Sequence, residues 1–363
     1  MDSYEEQQRQ KVIADAMIPG GAEPEMLSMG KAASMPAGNK QPISPLRNSL
    51  RRLRRDKRAM LSLSIILFFV LLALAGPPIY QHIGGPYTSN VNGIMYGPQD
   101  YHTYFHEELD RQHELPSGQY WLGTDELGRD ILARLMQGIL VSLAVAVMVE
   151  IIDVALGITV GVLAGYYGGW IDQLLARFTD LMFAFPGLLF VILLTGIFGT
   201  SADDAFGHIP VIGANGNARL LLVSLALAVT AWPLMARYVR GQALQMKELQ
   251  YVEAARTSGT RDLRIILRHI IPNLFSIVVV VATLDISATI VGEAGISMLG
   301  LGVQPPGSSI GLMIASASQY VGIHPWEVLV PCVTLALIVL AFSFLGDGLR
   351  DAFDPRSKDE RVG

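Results

Sequence analysis

Six apolar stretches dominate the sequence, near residues 59–80, 135–165, 174–198, 220–236, 274–295 and 326–346. Each approaches or exceeds the ~20 residues a helix needs to cross the hydrocarbon core of a bilayer. A water-soluble fold could not hide all six, because 51% of the residues are hydrophobic and only 16% are charged. The expected fold is an all-α membrane protein with about six transmembrane helices, and membrane lipid is its first partner. The formal net charge of -5 gives no reason to expect a nucleic-acid partner. The one cysteine, Cys332, lies inside the last run, so no disulfide framework is possible.

Charge orients these runs. Arg51, Arg52, Arg54, Arg55, Lys57 and Arg58 abut the first run, and a basic block in that place marks the cytoplasmic side. Alternating from there, the segments 201–217 and 296–325 fall outside and carry no Lys or Arg, whereas 237–272 falls inside and holds seven. The expected organisation is then a disordered cytoplasmic tail over 1–45, a basic segment with the first transmembrane helix over 46–80, and an extracytoplasmic loop over 81–130. A five-helix core follows over 131–350, with a cytoplasmic loop at 237–272, and a cytoplasmic tail closes the chain at 351–363. The tail 1–45 has no sustained apolar period and cannot offset its ordering entropy. It also lacks the pattern of a cleavable signal peptide, so the first run is expected to stay as an anchor.

The inner segment is the most informative. Leu244, Leu249, Val252 and Ala255 suggest one amphipathic helix, and Gly259 takes a backbone geometry that ends it. Pro272 suits the first turn of a helix and is expected to begin the fifth span. Ala254 and Ala255 let the loop helix lie close against another protein, with Glu253 as a charged anchor. An ordinary helix lying on the membrane surface is the plainer alternative.

In order, Glu253-Ala254-Ala255, three residues, Gly259, an Ile-rich run and His269-Ile270-Ile271-Pro272-Asn273 resemble the cytoplasmic loop of binding-protein-dependent ABC importer permeases. Three more blocks narrow the resemblance to the second membrane subunit of the peptide/nickel family. These are Leu122-Gly123-Thr124-Asp125-Glu126-Leu127-Gly128-Arg129-Asp130, then Gly292-Glu293-Ala294 with Leu299 to Pro306, and finally Leu345 to Asp351 with Asp354-Pro355-Arg356. The match runs from about 45 to 356. Ile310 stands where the family usually has Trp, and Cys332 where it has Gly. The resemblance implies a type I ABC importer permease fold and a multi-pass protein in the cytoplasmic (inner) membrane of a prokaryote, with both termini cytoplasmic. It implies four further partner chains in a complex: a homologous second permease, two cytoplasmic ATPase subunits and an extracytoplasmic solute-binding protein. Glu253, Ala254, Ala255, Arg256, Gly259 and Arg261 would then couple to the ATPases.

Other residues keep two readings. Asp125, Arg129 and Asp130 pair with one another, the preferred reading, or face a docking binding protein. Glu150, Asp153, Asp285 and Glu293 sit in apolar runs, where carboxylates must face protein or water. They line a translocation path or hydrogen-bond helix to helix, and Glu293, near the outer end, is alternatively just hydrated. Gly157, Gly161 and Gly165 allow close helix packing. His102, His106 and His113 lie near Asp100, Glu107 and Glu108, but solvated loop residues are the preferred reading and no metal is expected. No phosphate-binding loop occurs: the only Gly-Lys pair, Gly30-Lys31, has no glycine five residues earlier and is followed by Ala32. The chain is thus expected to be non-catalytic and to bind no cofactor, ATP and Mg belonging to the ATPase subunits. The expected solute is a short peptide, with nickel chelate, glutathione or oligosaccharide as alternatives within the class. An ion-coupled carrier working alone, or a receptor that moves no solute, are the rivals from other classes.

Overall fold

The structure is a computed structural model and describes residues 45–83, 89–91, 94–206 and 218–353. The tail expected over 1–45, apart from its last residue, most of the outer segment 201–217 and the closing Asp354-Pro355-Arg356 lie outside the described residues.

A short basic helix, α1 (Pro45–Leu53), precedes the first span, α2 (Lys57–Ile83). Asp56 starts α2 by accepting the backbone N–H of Arg58 at 2.8 Å. The loop that follows holds a hairpin, β1 (Ser89–Val91) paired antiparallel with β2 (Ile94–Tyr96), so the expected all-α fold describes the spans and not this loop. The second span, α3 (Ile131–Tyr167), is 37 residues long and is capped by Asp130.

The third run, expected as one helix over 174–198, is two. Helices α4 (Gly169–Ala184) and α5 (Gly187–Phe206) meet at Phe185-Pro186 and are bent by 74°. Phe185 is extended, at φ -78° and ψ 130°, the region a following proline favours. Helix α6 (Ala218–Met246) is the fourth span, and the short α7 (Gln250–Thr257) follows it. A helical turn at Asp262–Ile265 then passes through a π-helical stretch, Ile266–Ile270, into α8 (Ile271–Met298). The chain is therefore already helical ten residues before Pro272, correcting the expectation that this proline begins the span. Pro272 has no N–H and crowds the preceding turn, and the wider Ile271 N–H to Ile266 carbonyl bond makes room for it. The short helix α9 (Ile310–Ala317) and the last span, α10 (Pro325–Phe353), complete the order.

Among the described residues five helices are long and apolar enough to cross a membrane, and the bent pair, taken as one span, makes a sixth. Their apolar windows are only 22% to 44% buried within the chain. Most of their surface is left for lipid or another subunit; Leu67, Phe68, Leu71 and Leu74 form one such outward face on α2.

The seam between α3 and α6 is set by glycines four apart. A Cβ on Gly161 would lie 2.6 Å from the Ala236 carbonyl oxygen, and one on Gly165 would lie 2.7 Å from that of Arg240. The two backbones touch where the small-residue series predicts. Around this seam Val162, Met235, Val239, Val252, Ile265, Ile270 and Leu274 form one core cluster. A second cluster joins Phe69, Ile131, Ile139, Ile290 and Ile338, and Ile310 fills its interior with Cys332 at its edge. Both departures from the family pattern thus lie in tight apolar packing.

Candidate functional site

The exposed unit built around α7 begins with a single buried anchor. Val252 is fully buried in the first cluster and Ala255 packs against it, while Tyr251, Glu253, Ala254 and Arg256 face outward. Leu244 belongs to α6 and Leu249 is exposed ahead of α7, so the amphipathic helix expected across 244–255 is two helices. Gly259 ends α7 at φ +77°. Its N–H bonds the Arg256 carbonyl at 3.0 Å, and the Thr260 N–H reaches the Ala255 carbonyl at 3.1 Å, the paired closure of a left-handed helix cap.

Beyond the cap, Ile265, Ile266 and Ile270 turn into the core, whereas Leu263 and Leu267 are 65% and 58% exposed. Arg256, Arg261, Arg264 and Arg268 are exposed beside them. Two bulky apolar side chains ringed by guanidinium groups have the composition of a protein contact surface. Sequence reasoning passed over Leu263 and Leu267; their four-residue spacing, opposite in phase to the isoleucines, was the available signal. The unit is held to the spans at Tyr166, the penultimate residue of α3: its hydroxyl donates to Asp262 at 2.7 Å, and the Arg256 guanidinium lies 5.3 Å from its ring centre.

The signature before α3, Leu122 to Asp130, is a buried polar lattice. Asp125 accepts the backbone N–H groups of Leu127 and Arg129, at 2.9 and 3.0 Å, and the Arg129 side chain at 2.9 Å. The guanidinium of Arg134, 2% exposed, lies 3.3 Å from the same carboxylate. Asp130 accepts the Leu132 and Ala133 N–H groups at 2.8 and 3.2 Å and bonds His102 Nδ1 at 2.7 Å. Asp125, Arg129 and Asp130 are 6%, 3% and 0% exposed, which corrects the docking reading and leaves the internal one. Gly128, at φ +72°, is required because a Cβ there would strike the Glu108 carbonyl. Burial, followed by the nearby Glu108 carboxylate, pushes the Tyr120 phenol above its ordinary range.

His102 is buried rather than solvated, and it is not gathered with His106 and His113 around a common point. Instead His113 Nδ1 lies 2.7 Å from Glu327 of α10, with its ring stacked on His324 at 4.2 Å. Sequence gave no sign of this meeting, since 214 positions separate His113 from Glu327.

The four carboxylates in the spans divide. Glu293 is 1% exposed and accepts hydroxyl bonds from Ser142 and Ser297, at 2.6 and 2.7 Å. It ties α8 to α3 and lies buried, not hydrated. Glu150 and Asp153 of α3 and Asp285 of α8 come together, with one oxygen from each within 4.8 Å of the others. Glu150 Oε1, both Asp153 oxygens and Asp285 Oδ2 have no hydrogen-bond partner. Asp153 itself is fully buried.

The site is thus an exposed contact unit fixed to two spans of a multi-span helical bundle. The chain belongs to the binding-protein-dependent transport system inner membrane component family, whose model matches residues 157–359, and residues 44–102 match the N-terminal TM domain of oligopeptide transport permease C. It is 41% identical to the glutathione transport system permease protein GsiD of Pectobacterium atrosepticum, over 72% of this chain and 80% of that one. It is 34% identical to the dipeptide transport system permease protein DppC of Alkalihalophilus pseudofirmus, over 87% and 91%. It is 32% identical to the oligopeptide transport system permease protein OppC of Mycobacterium tuberculosis, over 86% and 96%. The protein is thus an inner-membrane, multi-pass ABC importer permease of the dipeptide, oligopeptide and glutathione type.

Proposed function

We propose that this chain pairs with a second, related permease and passes short peptides, received from an extracytoplasmic binding protein, into the cytoplasm by alternating access. Two cytoplasmic ATPases would drive the change by gripping α7 and the residues Glu253, Ala254, Ala255, Arg256, Gly259 and Arg261. The observation that carries this reading is the exposed α7 unit, anchored at Val252 and joined through an unbroken helix to α8. A carrier working alone needs no such surface. ATP binding would bias a two-state bundle through it.

Peptide is favoured over bare metal as the solute. Transition metals prefer imidazole and thiolate, yet the six apolar runs contain no histidine and one cysteine, Cys332. Glu150, Asp153 and Asp285 would offer a peptide's ammonium terminus a weak site on the path. The 41% identity to a permease named for glutathione transport brings that small peptide into the same class. Uptake by the reconstituted complex with its own binding protein is the test, comparing di- to hexapeptides, glutathione, nickel chelates and short oligosaccharides. Saturable uptake of peptides is expected. Transport of a chelate or sugar without peptide uptake would refute the choice.

The same reading puts α7 inside and the loop before α3 outside. Gly118 and Ser258 are both exposed, and a Cβ on Gly118 meets nothing within 4 Å. In a Cys332→Ala background, an impermeant thiol reagent added outside should label Gly118→Cys and not Ser258→Cys. Labelling at 258 alone would invert the topology.

A further inference from the structure

Helices α3 and α8 meet twice through carboxylates. At the first meeting Glu293 is satisfied by the hydroxyls of Ser142 and Ser297. Eight residues further along α3 and eight back along α8, about 12 Å down the helix axes, Glu150 and Asp153 come up against Asp285, with one oxygen from each within 4.8 Å of the others. No hydroxyl serves this second meeting. Glu150 Oε1, Asp285 Oδ2 and both oxygens of Asp153 are buried without a hydrogen-bond partner.

Asp153 is the residue that points to a ligand. Its side chain is fully buried and turned toward the other two carboxylates, and neither of its oxygens is met. A charge can stay in such a place only where an opposite charge offsets its desolvation, and buried orphan atoms call for a missing ion or water. The chain supplies no such charge: among the described residues, the charged groups acting on Glu150 and Asp153 belong to the trio itself.

The donor set selects the ion. Three carboxylates, with no imidazole or thiol among them, suit a hard cation rather than zinc or copper. Opposite ligands of Ca2+, bound at about 2.3–2.6 Å, stand about 4.6–5.2 Å apart, so oxygens within 4.8 Å of one another fit round one such ion. Mg2+ asks for a near-ideal octahedron and keeps several waters, which two apolar helices are poorly placed to supply. Glu150 and Asp285 are half-buried, and their exposed edge gives a cation its entry and its water ligands.

We infer that Glu150, Asp153 and Asp285 form a site for a divalent cation of the calcium class, completed by water, that neutralises the trio and bridges α3 to α8. The inference stands on these oxygens and not on the identity of the solute. A peptide's ammonium group on the proposed path would compete with the ion for them.

Ca2+ is the probe. The assembled complex in detergent, free of nucleotide, binding protein and solute, is stripped with a chelator and titrated with Ca2+ by calorimetry, and its thermal unfolding is followed with and without the ion. One equivalent per copy of this chain and a rise in Tm are expected. Asp153→Asn keeps the shape of the side chain and removes its charge. It should weaken binding at least about tenfold, since ligand charge sets calcium affinity, and remove the Tm rise. Asp110→Asn, at an exposed position in the loop before α3, should change neither. If Asp153→Asn fails to assemble, Asp285→Asn and Glu150→Gln, at half-buried positions, decide in its place. Failure of the wild type to take up Ca2+, or unchanged binding in the variants, would overturn the site. The titration contains no solute, so its failure and the failure of peptide uptake are separate results.

Discussion

Glu253→Lys and Gly259→Pro are expected to leave the permease inserted and folded but to uncouple ATP hydrolysis from uptake. Glu253 is exposed on α7 and is far in sequence from any carboxylate of the spans, so its reversal does not disturb the core. It disturbs the contact. Charge reversal at a close protein interface costs about 2 kcal/mol or more, which lowers coupled uptake by about an order of magnitude or more. Gly259→Pro acts on geometry: proline fixes φ near -65°, while Gly259 sits at +77° and its N–H closes the cap on Arg256. The α7 unit then loses its shape, while the seam of α3 and α6 stays intact. Solute-stimulated ATPase activity and uptake in the reconstituted complex are the two readouts. Normal coupling in both variants would sink the assignment of α7 as the ATPase contact.

Gly161→Leu should have the larger effect on the chain itself. A Cβ at this position would already lie 2.6 Å from the Ala236 carbonyl oxygen and 2.7 Å from Val239 Cβ, so a leucine must prise α3 from α6. Overpacking of this kind costs about 1–3 kcal/mol or more, a large part of a membrane domain's margin where close packing replaces the hydrophobic effect between helices. The expected result is a sharp loss of monodisperse protein in detergent and a depressed Tm. Gly241 supplies the control. It lies on α6, and an added Cβ there meets nothing within 4 Å. Gly241→Leu should therefore be tolerated, and equal behaviour of the two variants would refute the seam.

The spans were legible in the sequence because apolar length is a local property. The glycine series at 157, 161 and 165 was legible for the same reason, being periodic on one helix face. The break at Pro186 was not. The apolar run is continuous through Phe185, and Pro77, Pro78, Pro233 and Pro331 all lie inside helices that carry on past them. Proline alone does not decide whether a helix stops; the packing on either side does. Long-range meetings were also hidden. Glu293 finds Ser142 across 151 positions, and nothing local distinguishes a carboxylate so satisfied from one left without a partner, such as Asp153. In the signature before α3 the residue types pointed to pairing, but Asp130 is closed in by His102 and Tyr80 and Asp125 by Arg134 as well as Arg129, contacts that no spacing encodes.

The unbroken helical path from Asp262 to Met298 has a mechanical consequence. It contains 37 residues, which at about 1.5 Å per residue makes a rod of about 55 Å. One end carries the arginines and leucines around α7, and the other ends just past Glu293 and its bond to Ser142. Swinging such a rod by about 5° about one end moves the other by about 5 Å, close to the pitch of one helical turn. Local rearrangement around α7 therefore need not be relayed residue by residue along the bundle. Under the proposed coupling the backbone itself would work as a lever arm, with the Glu293–Ser142 bond tying its far end to α3.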